Sequence, residues 1–552
     1  MNSALFLDGL IIVVYFVAIV AIGLYKGRGS KTMEGFAVGD RNMPWWAVLA
    51  SIIAAETSAA TFLGTPAEGY KTRSFFYGQL VIGTVLARVI IAFTFIKPYY
   101  TYRVQSVYEF LTVRFGAQTK NMASGIFLFT RVLGIGVRLY LGGAIMVVIW
   151  RYLFPGIEVN LNTYVWGIIF VTIVTTIYTA IGGIKAVVWT DLIQAILMVS
   201  SVAFAIFLLI RNIPGGLTAV ETTLGGYDKI EVFQSGWDSS LPFGPALKKM
   251  LEQPYTLFAA FIGSTLLTMA THGTDQDMVQ RMLTAPNYRK SQMSLILSGL
   301  MDIPIVIMFL TVGILLSVYY TLLPDATLPA ADNEIFAHYI VHEMPMGFRG
   351  LIVAGVFATM MGSTSAALNA LATSFTKDFY QPYIRPEATE KQTVRAARFA
   401  TVIFGVLMIV VATVAANAVL NDAKLTIIPI AIGILGYTYG ALLAVFLLGV
   451  LTRKRGADGM NVISMISGIA SVLVLCKVTI PSLAILPLLQ GKIVHVIWNF
   501  GWFMPEWWPK ISWPWFVLVG CLVTFSMAIL FRTPEKQVLA AEEHVRNASS
   551  AN

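Results

Sequence analysis

The stretch AVLASIIAAETSAATFLGTPAEGY, residues 47–70, is long and apolar enough to cross a membrane, yet its middle is polar. The residues that interrupt the apolar run are Glu56, Thr57, Ser58 and Thr61. A carboxylate facing lipid at the bilayer centre is costly. We therefore expect a broken helix whose polar middle faces protein or water, and whose freed carbonyls bind an ion and a polar solute. A kinked structural helix, with its hydroxyls bonded back to their own carbonyls, is the alternative.

The composition is that of an all-α polytopic membrane protein. Of 552 residues, 57% are hydrophobic and 12% are charged, and the mean hydropathy is +0.74. The net charge of +9 is spread between apolar segments and does not indicate nucleic-acid binding. The two cysteines, Cys476 and Cys521, lie in apolar stretches and predict neither a disulfide framework nor a metal site.

Hydropathy predicts thirteen transmembrane helices, here called segments one to thirteen. They lie near residues 5–26, 45–68, 74–97, 122–151, 163–181, 187–210, 254–277, 291–320, 349–375, 397–419, 427–451, 460–484 and 513–531. With the N-terminus outside, most of the 38 Lys and Arg residues face inward. We therefore expect a multi-pass protein of the plasma (inner) membrane with a cytoplasmic C-terminus. The lipid bilayer is its partner, and a monomer suffices, although the oligomeric state is left open.

Segment seven, TLFAAFIGSTLLTMATHGTDQDMVQRM from Thr256 to Met282, is interrupted like segment two. Segments two to six and segments seven to eleven each comprise five helices. Because five is an odd number, the second set must run in the opposite sense to the first, as in an inverted-repeat transporter. The predicted units are 1–43 (extra helix and inner loop), 44–210 (first repeat), 211–253 (outer loop), 254–451 (second repeat), 452–531 (two further helices) and 532–552 (cytoplasmic tail). His272 is expected to be a packing residue. Asp275 and Asp277 are expected to pair with Arg281 or the inner loops.

Ionisable and hydroxyl residues inside other segments indicate binding chemistry. Ser363 and Ser365 interrupt segment nine, and hydroxyls beside backbone carbonyls suit a bare alkali cation. Close packing of small residues, with the serines bonded to carbonyls one turn back, is the alternative. Arg131 and Arg138 share one face of segment four. Their partners are either Glu56 and Asp302, the structural salt bridge that we favour, or a solute carboxylate.

Four motifs together resemble the sodium:solute symporter family: SAATFLGTPAEGY (58–70), GGIKAVVWTDLIQ (182–194), TDQDMVQR (274–281) and LNALATSFTKDFY (368–380). The resemblance covers about residues 5–460, and the bacterial sialic acid, monocarboxylate and proline-type branches look nearest. It implies a LeuT-type 5+5 inverted repeat with one extra N-terminal and two extra C-terminal helices. It also implies alternating access, with sodium bound between segments two and nine.

The resemblance implies specific ligands. Carbonyls of Ala54, Thr57 and Thr359 and the hydroxyl of Ser363 are expected to hold sodium. Gly362 stands where the family commonly has a hydroxyl residue, so a carbonyl or water must replace that ligand. Asp191 and Ser365 match a second sodium site of some members, although the neighbour of Ser365 is Ala366 rather than a hydroxyl residue.

The solute site is expected between segments two, three, four, seven and eight. Its predicted residues are Glu56, Ser58, Thr61, Phe75, Gln79, Arg131, Arg138, Thr271 and Asp302. Ser58, Thr61, Phe75 and Gln79 match solute-facing positions of the sialic acid branch, whose carboxylate-binding arginine falls at Gly134 here. A free arginine favours a carboxylate-bearing solute, whereas arginines held by acids would favour a sugar.

We therefore predict a sodium-coupled symporter that imports a small polar organic solute, and not an enzyme. Proton coupling through Glu56, or sodium-coupled sugar transport, is the alternative. A channel would need a continuous polar pore, which the interrupted segments do not favour. His338 and His342, four residues apart in an outer loop, form the only histidine pair that could suggest a zinc site.

Overall fold

The computed structural model describes residues 3–28, 31–153, 160–329, 331–421, 427–480 and 498–550. The α-helices in these ranges are α1 Ser3–Lys26, α2 Met33–Val38, α3 Trp45–Glu56, α4 Ala59–Thr72, α5 Leu80–Thr94, α6 Ile96–Thr101, α7 Glu109–Arg114, α8 Ala117–Leu153, α9 Leu161–Asn212, α10 Gly216–Leu224, α11 Phe243–Glu252, α12 Thr265–Gly273, α13 Gln276–Met282, α14 Tyr288–Leu322, α15 Asp332–His342, α16 Phe348–Phe375, α17 Glu390–Asn421, α18 Ile427–Leu451, α19 Asp458–Leu475, α20 Phe516–Ala528 and α21 Glu535–Ser550. Two stretches are π-helical, Ala259–Ser264 and Thr376–Ile384. Strands β1 Thr479–Ile480 and β2 Trp498–Asn499 form one short antiparallel pair.

Membrane-spanning helices dominate this architecture. Nine helices within the described ranges are long and apolar enough to cross a membrane, and the bent pair α3–α4 makes a tenth. Predicted segments five and six lie in one assigned helix, α9, and segment seven is divided between a π-helical turn, α12 and α13. The structure therefore confirms an all-α multi-pass protein, and the count of thirteen spans remains a prediction.

The predicted break in segment two lies at Thr57 and Ser58. Both residues have extended backbones, with φ/ψ of −80°/101° and −92°/169°, and the helices on either side differ in direction by 63°. The Ser58 hydroxyl accepts a hydrogen bond from the Thr61 N–H at 3.4 Å and so caps α4. The last hydrogen bond of α3 runs from the Thr57 N–H to the Ile53 carbonyl, which leaves the following carbonyls without helical donors.

Segment seven breaks in the same way. After α12 ends at Gly273, Asp275 is extended, and its carboxylate accepts the Asp277 N–H at 2.8 Å, which caps α13. Segments two and seven are therefore both broken, and in each the helix after the break begins with a side-chain N-cap.

A kink divides α9 at Gly183, which has φ 58° and ψ −153°, a conformation open in practice only to glycine. A Cβ atom there would lie 2.7 Å from the Phe36 carbonyl oxygen, so the missing side chain also lets α2 approach. The kink turns one long helix into the two predicted segments, five and six.

Helix α15 lies over α4, the second half of segment two, where Phe336 stacks on Phe62 at 5.7 Å. His338 and His342 stack at 4.2 Å on its surface, and His338 Nε2 lies 2.8 Å from the Asp325 carboxylate. Hydrogen bonds from Thr327, and then from His338, lower the pKa of the Asp325 carboxyl to about 2. No group of three metal-ligating acidic, His or Cys side chains occurs in the described ranges.

The kink at Gly183 predicts an effect on stability. Gly183→Ala should destabilise the protein by about 1–3 kcal/mol, because alanine is strained at this backbone conformation and its methyl group meets Phe36. Thermal unfolding of the detergent-solubilised protein, followed by tryptophan fluorescence, measures the effect. Gly125→Ala is the matched control: Gly125 lies inside α8 and a Cβ there meets nothing within 4 Å. Equal melting temperatures for the two variants would contradict the strain at Gly183.

Candidate functional site

The break in segment two lies directly against segment nine. A Cβ atom on Gly362 of α16 would lie 3.2 Å from the Ala54 carbonyl oxygen and 3.0 Å from Gln194 Oε1. Ala54 and Thr57 are buried, as are Thr359 and Ser363 on α16. Because Gly362 has no side chain, α16 approaches the free carbonyls of α3 closely. The five residues predicted to surround sodium therefore come from two helices that meet at the break.

The hydroxyls of α16 bond back to their own helix. Ser363 Oγ donates to the carbonyls of Thr359 and Met360, both at 3.1 Å, and Thr364 donates to Met360 at 2.8 Å. The back-bonding that we gave as the structural alternative is thus present. It uses only the hydroxyl proton, so the oxygen lone pairs of Ser363 remain available to a cation.

A second group of buried oxygens adjoins the first. Asp191 and Gln194, one turn apart on α9, are fully buried. Within the described part of the chain, Asp191 Oδ1 and Gln194 Oε1 have no hydrogen-bond partner. Ser365 of α16 is also fully buried and donates to the Gly362 carbonyl at 3.1 Å. Helix α16 therefore contributes residues both to the predicted sodium ligands and to this second group. Asp191 Oδ2 is occupied: it accepts from Ser51 at 2.5 Å and lies 3.2 Å from Arg281.

Three charges meet beside the break. The Arg88 guanidinium, fully buried on α5, forms an ion pair with Glu56 and another, 2.7 Å long, with Asp302 of α14. Arg88 also donates to Ser298 at 2.9 Å. His272 is buried beside this cluster, and its Nε2 lies 3.7 Å from the Glu56 carboxylate. This cluster joins segments two, three, seven and eight at the level of the break.

The predicted pairing of Glu56 and Asp302 with arginines of segment four is therefore wrong. Arg131 instead forms ion pairs with Asp277 and, at 3.4 Å, with Asp275, two acids at the start of α13. Asp277 also pairs with Arg281, as the sequence predicted. Arg131 is thus a structural residue that ties segment four to segment seven, with both of its acidic partners buried.

Arg138 differs from Arg88, Arg131 and Arg281 in having no carboxylate partner in the described part of the chain. It lies seven residues beyond Arg131 on the same face of α8, about 10 Å further along the helix. It is half-buried and within electrostatic range of Tyr439, Asp275 and Asp277. Nevertheless, it has no hydrogen-bond or ion-pair partner among the residues that the structure describes.

The remaining predicted solute residues divide into two groups. Ser58 and Thr61 lie at the break, and Thr271 Oγ1 lies 3.0 Å from His272 Nδ1, at the edge of the charge cluster. Phe75 and Gln79 lie at the outer end of segment three. Both ends of the Gln79 amide are bonded to backbone groups, of Tyr255 at 2.9 Å and Gln234 at 3.2 Å, and the Phe75 N–H donates to the Glu231 carbonyl. A solute contact at these two residues remains a prediction.

Sequence reasoning missed two central residues, Arg88 and Gln194. Arg88 is the only charged residue in the middle of an otherwise apolar segment three, and that isolation was the signal for a buried partner. Gln194 is one helical turn from Asp191, but only the packing of Gly362 against it links it to the site.

The charge cluster predicts a specific pattern of stability. Arg88→Gln should cost about 3–5 kcal/mol, because it leaves Glu56 and Asp302 without their cation. Adding Asp302→Asn should recover part of the loss, since one uncompensated carboxylate is removed. Lys97→Gln, which removes an exposed cation at the end of the same segment, is the control. Melting temperatures in detergent measure all three, and a loss in Arg88→Gln no greater than in the control would refute the pairing.

Comparison with known proteins identifies the class. The model of the sodium:solute symporter family matches residues 36–468. The chain is 30% identical over 468 residues to the sodium/sialic acid symporter NanT of Aliivibrio fischeri, covering 83% of this chain and 85% of that protein. It is 28% identical over 470 residues to the sodium/sialic acid symporter SiaT of Proteus mirabilis, covering 83% and 87%.

The fold agrees with this match. A solved structure of a Na⁺-coupled sialic acid symporter, in a substrate-bound outward-open state, superimposes with a TM-score of 0.75 over 95% of this chain and 97% of that one, at 23% identity. The family consists of sodium-coupled transporters rather than enzymes, as the sequence predicted. The chain belongs to the sodium:solute symporter family.

Proposed function

We propose that this symporter binds its sodium ion at the break in segment two, between Ala54, Thr57, Thr359 and Ser363. The proposal is supported by the free carbonyls at the end of α3 and by the close approach of Gly362 to Ala54. Gly362 contributes space rather than a side-chain ligand. Backbone and hydroxyl oxygens are the hard ligands that an alkali cation requires.

A second sodium ion is proposed at Asp191 and Ser365. The support comes from two buried oxygens, Asp191 Oδ1 and Gln194 Oε1, which have no hydrogen-bond partner among the described residues, and from the position of Gln194 beside Gly362. Buried oxygen atoms are almost always satisfied in folded proteins, so an ion or water is the expected partner. Gln194 takes the place of the hydroxyl ligand that is absent at Ala366.

Ser363→Ala tests the first sodium site. Loss of one oxygen ligand should cost about 1–3 kcal/mol, or roughly tenfold or more in apparent sodium affinity. Thr364→Ala is the control, because this neighbouring hydroxyl also bonds to Met360 but is not a proposed ligand. Sodium-dependent thermal shifts of the purified variants measure the change. Identical sodium dependence in Ser363→Ala and the control would contradict the placement.

We propose that the solute carries a carboxylate, which Arg138 binds. The observation that supports it is a contrast with three arginines of the core: Arg88, Arg131 and Arg281 each have carboxylate partners, whereas half-buried Arg138 has neither an ion pair nor a hydrogen bond in the described part of the chain. A guanidinium presents two parallel donors to a carboxylate, which makes it the usual planar-anion ligand. Two similar relatives are named for sialic acid, a carboxylate-bearing sugar acid.

The remainder of the solute is proposed to meet Glu56, Ser58, Thr61 and Thr271, the polar residues at and beside the break. The sodium ligands Ala54 and Thr57 lie in the same stretch of chain. Sodium binding would therefore order the backbone that also presents the solute ligands, so each ligand would strengthen the binding of the other. Asp302 is proposed to act through Arg88, by fixing the position of Glu56.

The proposed architecture has thirteen spans, the N-terminus outside and segments two to eleven arranged as a 5+5 inverted repeat. The two breaks, in α3–α4 and α12–α13, support the repeat because each opens one set of five. The distribution of Lys and Arg supports the orientation.

Arg138→Gln tests the solute class. In sodium, small carboxylates including sialic acid should raise the melting temperature of the wild-type protein, with about 2.7 kcal/mol of stabilisation at 100 times the dissociation constant. Arg138→Gln should weaken this response at least about tenfold, while Arg138→Lys retains part of it. Neutral sugars are the comparison ligands. Stabilisation by neutral sugars alone, unchanged in Arg138→Gln, would overturn the carboxylate proposal.

A further inference from the structure

A cleft of about 340 Å³ lies between the π-helical stretch Thr376–Ile384 and α17, on the side opposite to the solute entrance in the proposed orientation. Its walls are mainly aromatic and aliphatic, from Phe375, Tyr380, Phe399 and Ile403. At its rim lie Arg385, Gln392 and Arg395. None of these residues belongs to the sodium or solute sites.

The cations at the rim are free to bind a ligand. Arg385 and Arg395 are exposed, and neither guanidinium has a hydrogen-bond or ion-pair partner among the described residues. Glu390, the acidic residue at the start of α17, is occupied elsewhere, because its carboxylate accepts the Met33 N–H at 2.8 Å. The Gln392 oxygen accepts the Thr389 N–H at 3.0 Å, which leaves its NH₂ group to donate. The rim of this one cleft thus carries two guanidinium groups and an amide donor.

The apolar walls continue directly into the lipid-facing surface of α17. Phe399 is 67% exposed, and Ile403 and Val406 continue the same exposed stripe. A ligand whose head meets the arginines can therefore lay its tail along this stripe. A soluble anion would use the arginines and leave the apolar part of the cleft empty.

We propose that an anionic phospholipid of the inner leaflet occupies this cleft, with its phosphate between Arg385 and Arg395 and one acyl chain against Phe399 and Ile403. Clefts between membrane helices with basic residues on the cytoplasmic side bind acidic headgroups through the same chemistry. The cleft is formed by segments nine and ten, so the lipid would stabilise α17 against the segment that carries Ser363.

Native mass spectrometry and thermal shift with phosphatidylglycerol test the proposal on the purified full-length protein. Phosphatidylglycerol should bind with 1:1 saturation and raise the melting temperature, and phosphatidylcholine should do neither. Arg385→Gln/Arg395→Gln should weaken phosphatidylglycerol binding by about 10- to 30-fold, at roughly 1 kcal/mol for each cation. Lys391→Gln removes a cation from the same helix outside the cleft and should bind the lipid like the wild type.

Two further experiments distinguish a lipid ligand from a soluble anion, and loss of binding from misfolding. Inorganic phosphate should give no shift at concentrations where phosphatidylglycerol saturates, and an equal shift by phosphate would overturn the lipid assignment. Ala396→Trp keeps both arginines but fills the cleft, and it should also lose the lipid while keeping the sodium-dependent thermal shift. Retained 1:1 binding in the double arginine variant or in Ala396→Trp would refute the site.

Discussion

A charge inside a membrane must have a partner, and the helices of this protein are joined by that requirement. Arg88, Arg131 and Arg281 each hold two carboxylates, and each arginine pairs with at least one carboxylate on another segment. Because breaking such a pair leaves a buried charge, these contacts fix which segments are neighbours. They also meet at the broken segments, two and seven, where the backbone itself lacks helical hydrogen bonds.

The breaks and the charges depend on each other. A broken helix exposes carbonyls that lipid cannot satisfy, so the break must be enclosed by protein. The Glu56–Arg88–Asp302 cluster encloses it on one side, and α16 encloses it on the other through Gly362. The same enclosure creates a space lined by backbone and hydroxyl oxygens, the ligands for which a small cation exchanges its water.

Arginines that have no carboxylate partner among the described residues require a different explanation from the paired ones. Arg138 is half-buried, and Arg385 and Arg395 lie at the rim of an apolar cleft. A guanidinium in an apolar setting is stabilised by an anion, and where the described residues supply none, a ligand is the natural source. The two places are therefore proposed to bind two different anions, a solute carboxylate and a lipid phosphate.

The amino-acid sequence alone indicated the family through four motifs, the all-α membrane fold through hydropathy, and a broken helix through the polar residues 56–61 in an apolar run. All three are short-range properties of the chain. The choice of partners was decided only by tertiary structure. Glu56 pairs with Arg88 rather than with Arg131, and Gln79 donates to the Tyr255 carbonyl. Gln194, like Asp191, has a buried oxygen without a partner among the described residues. Ion pairs between residues far apart in the chain depend on how helices pack and rotate against each other, and periodicity within one segment carries no information about its neighbours.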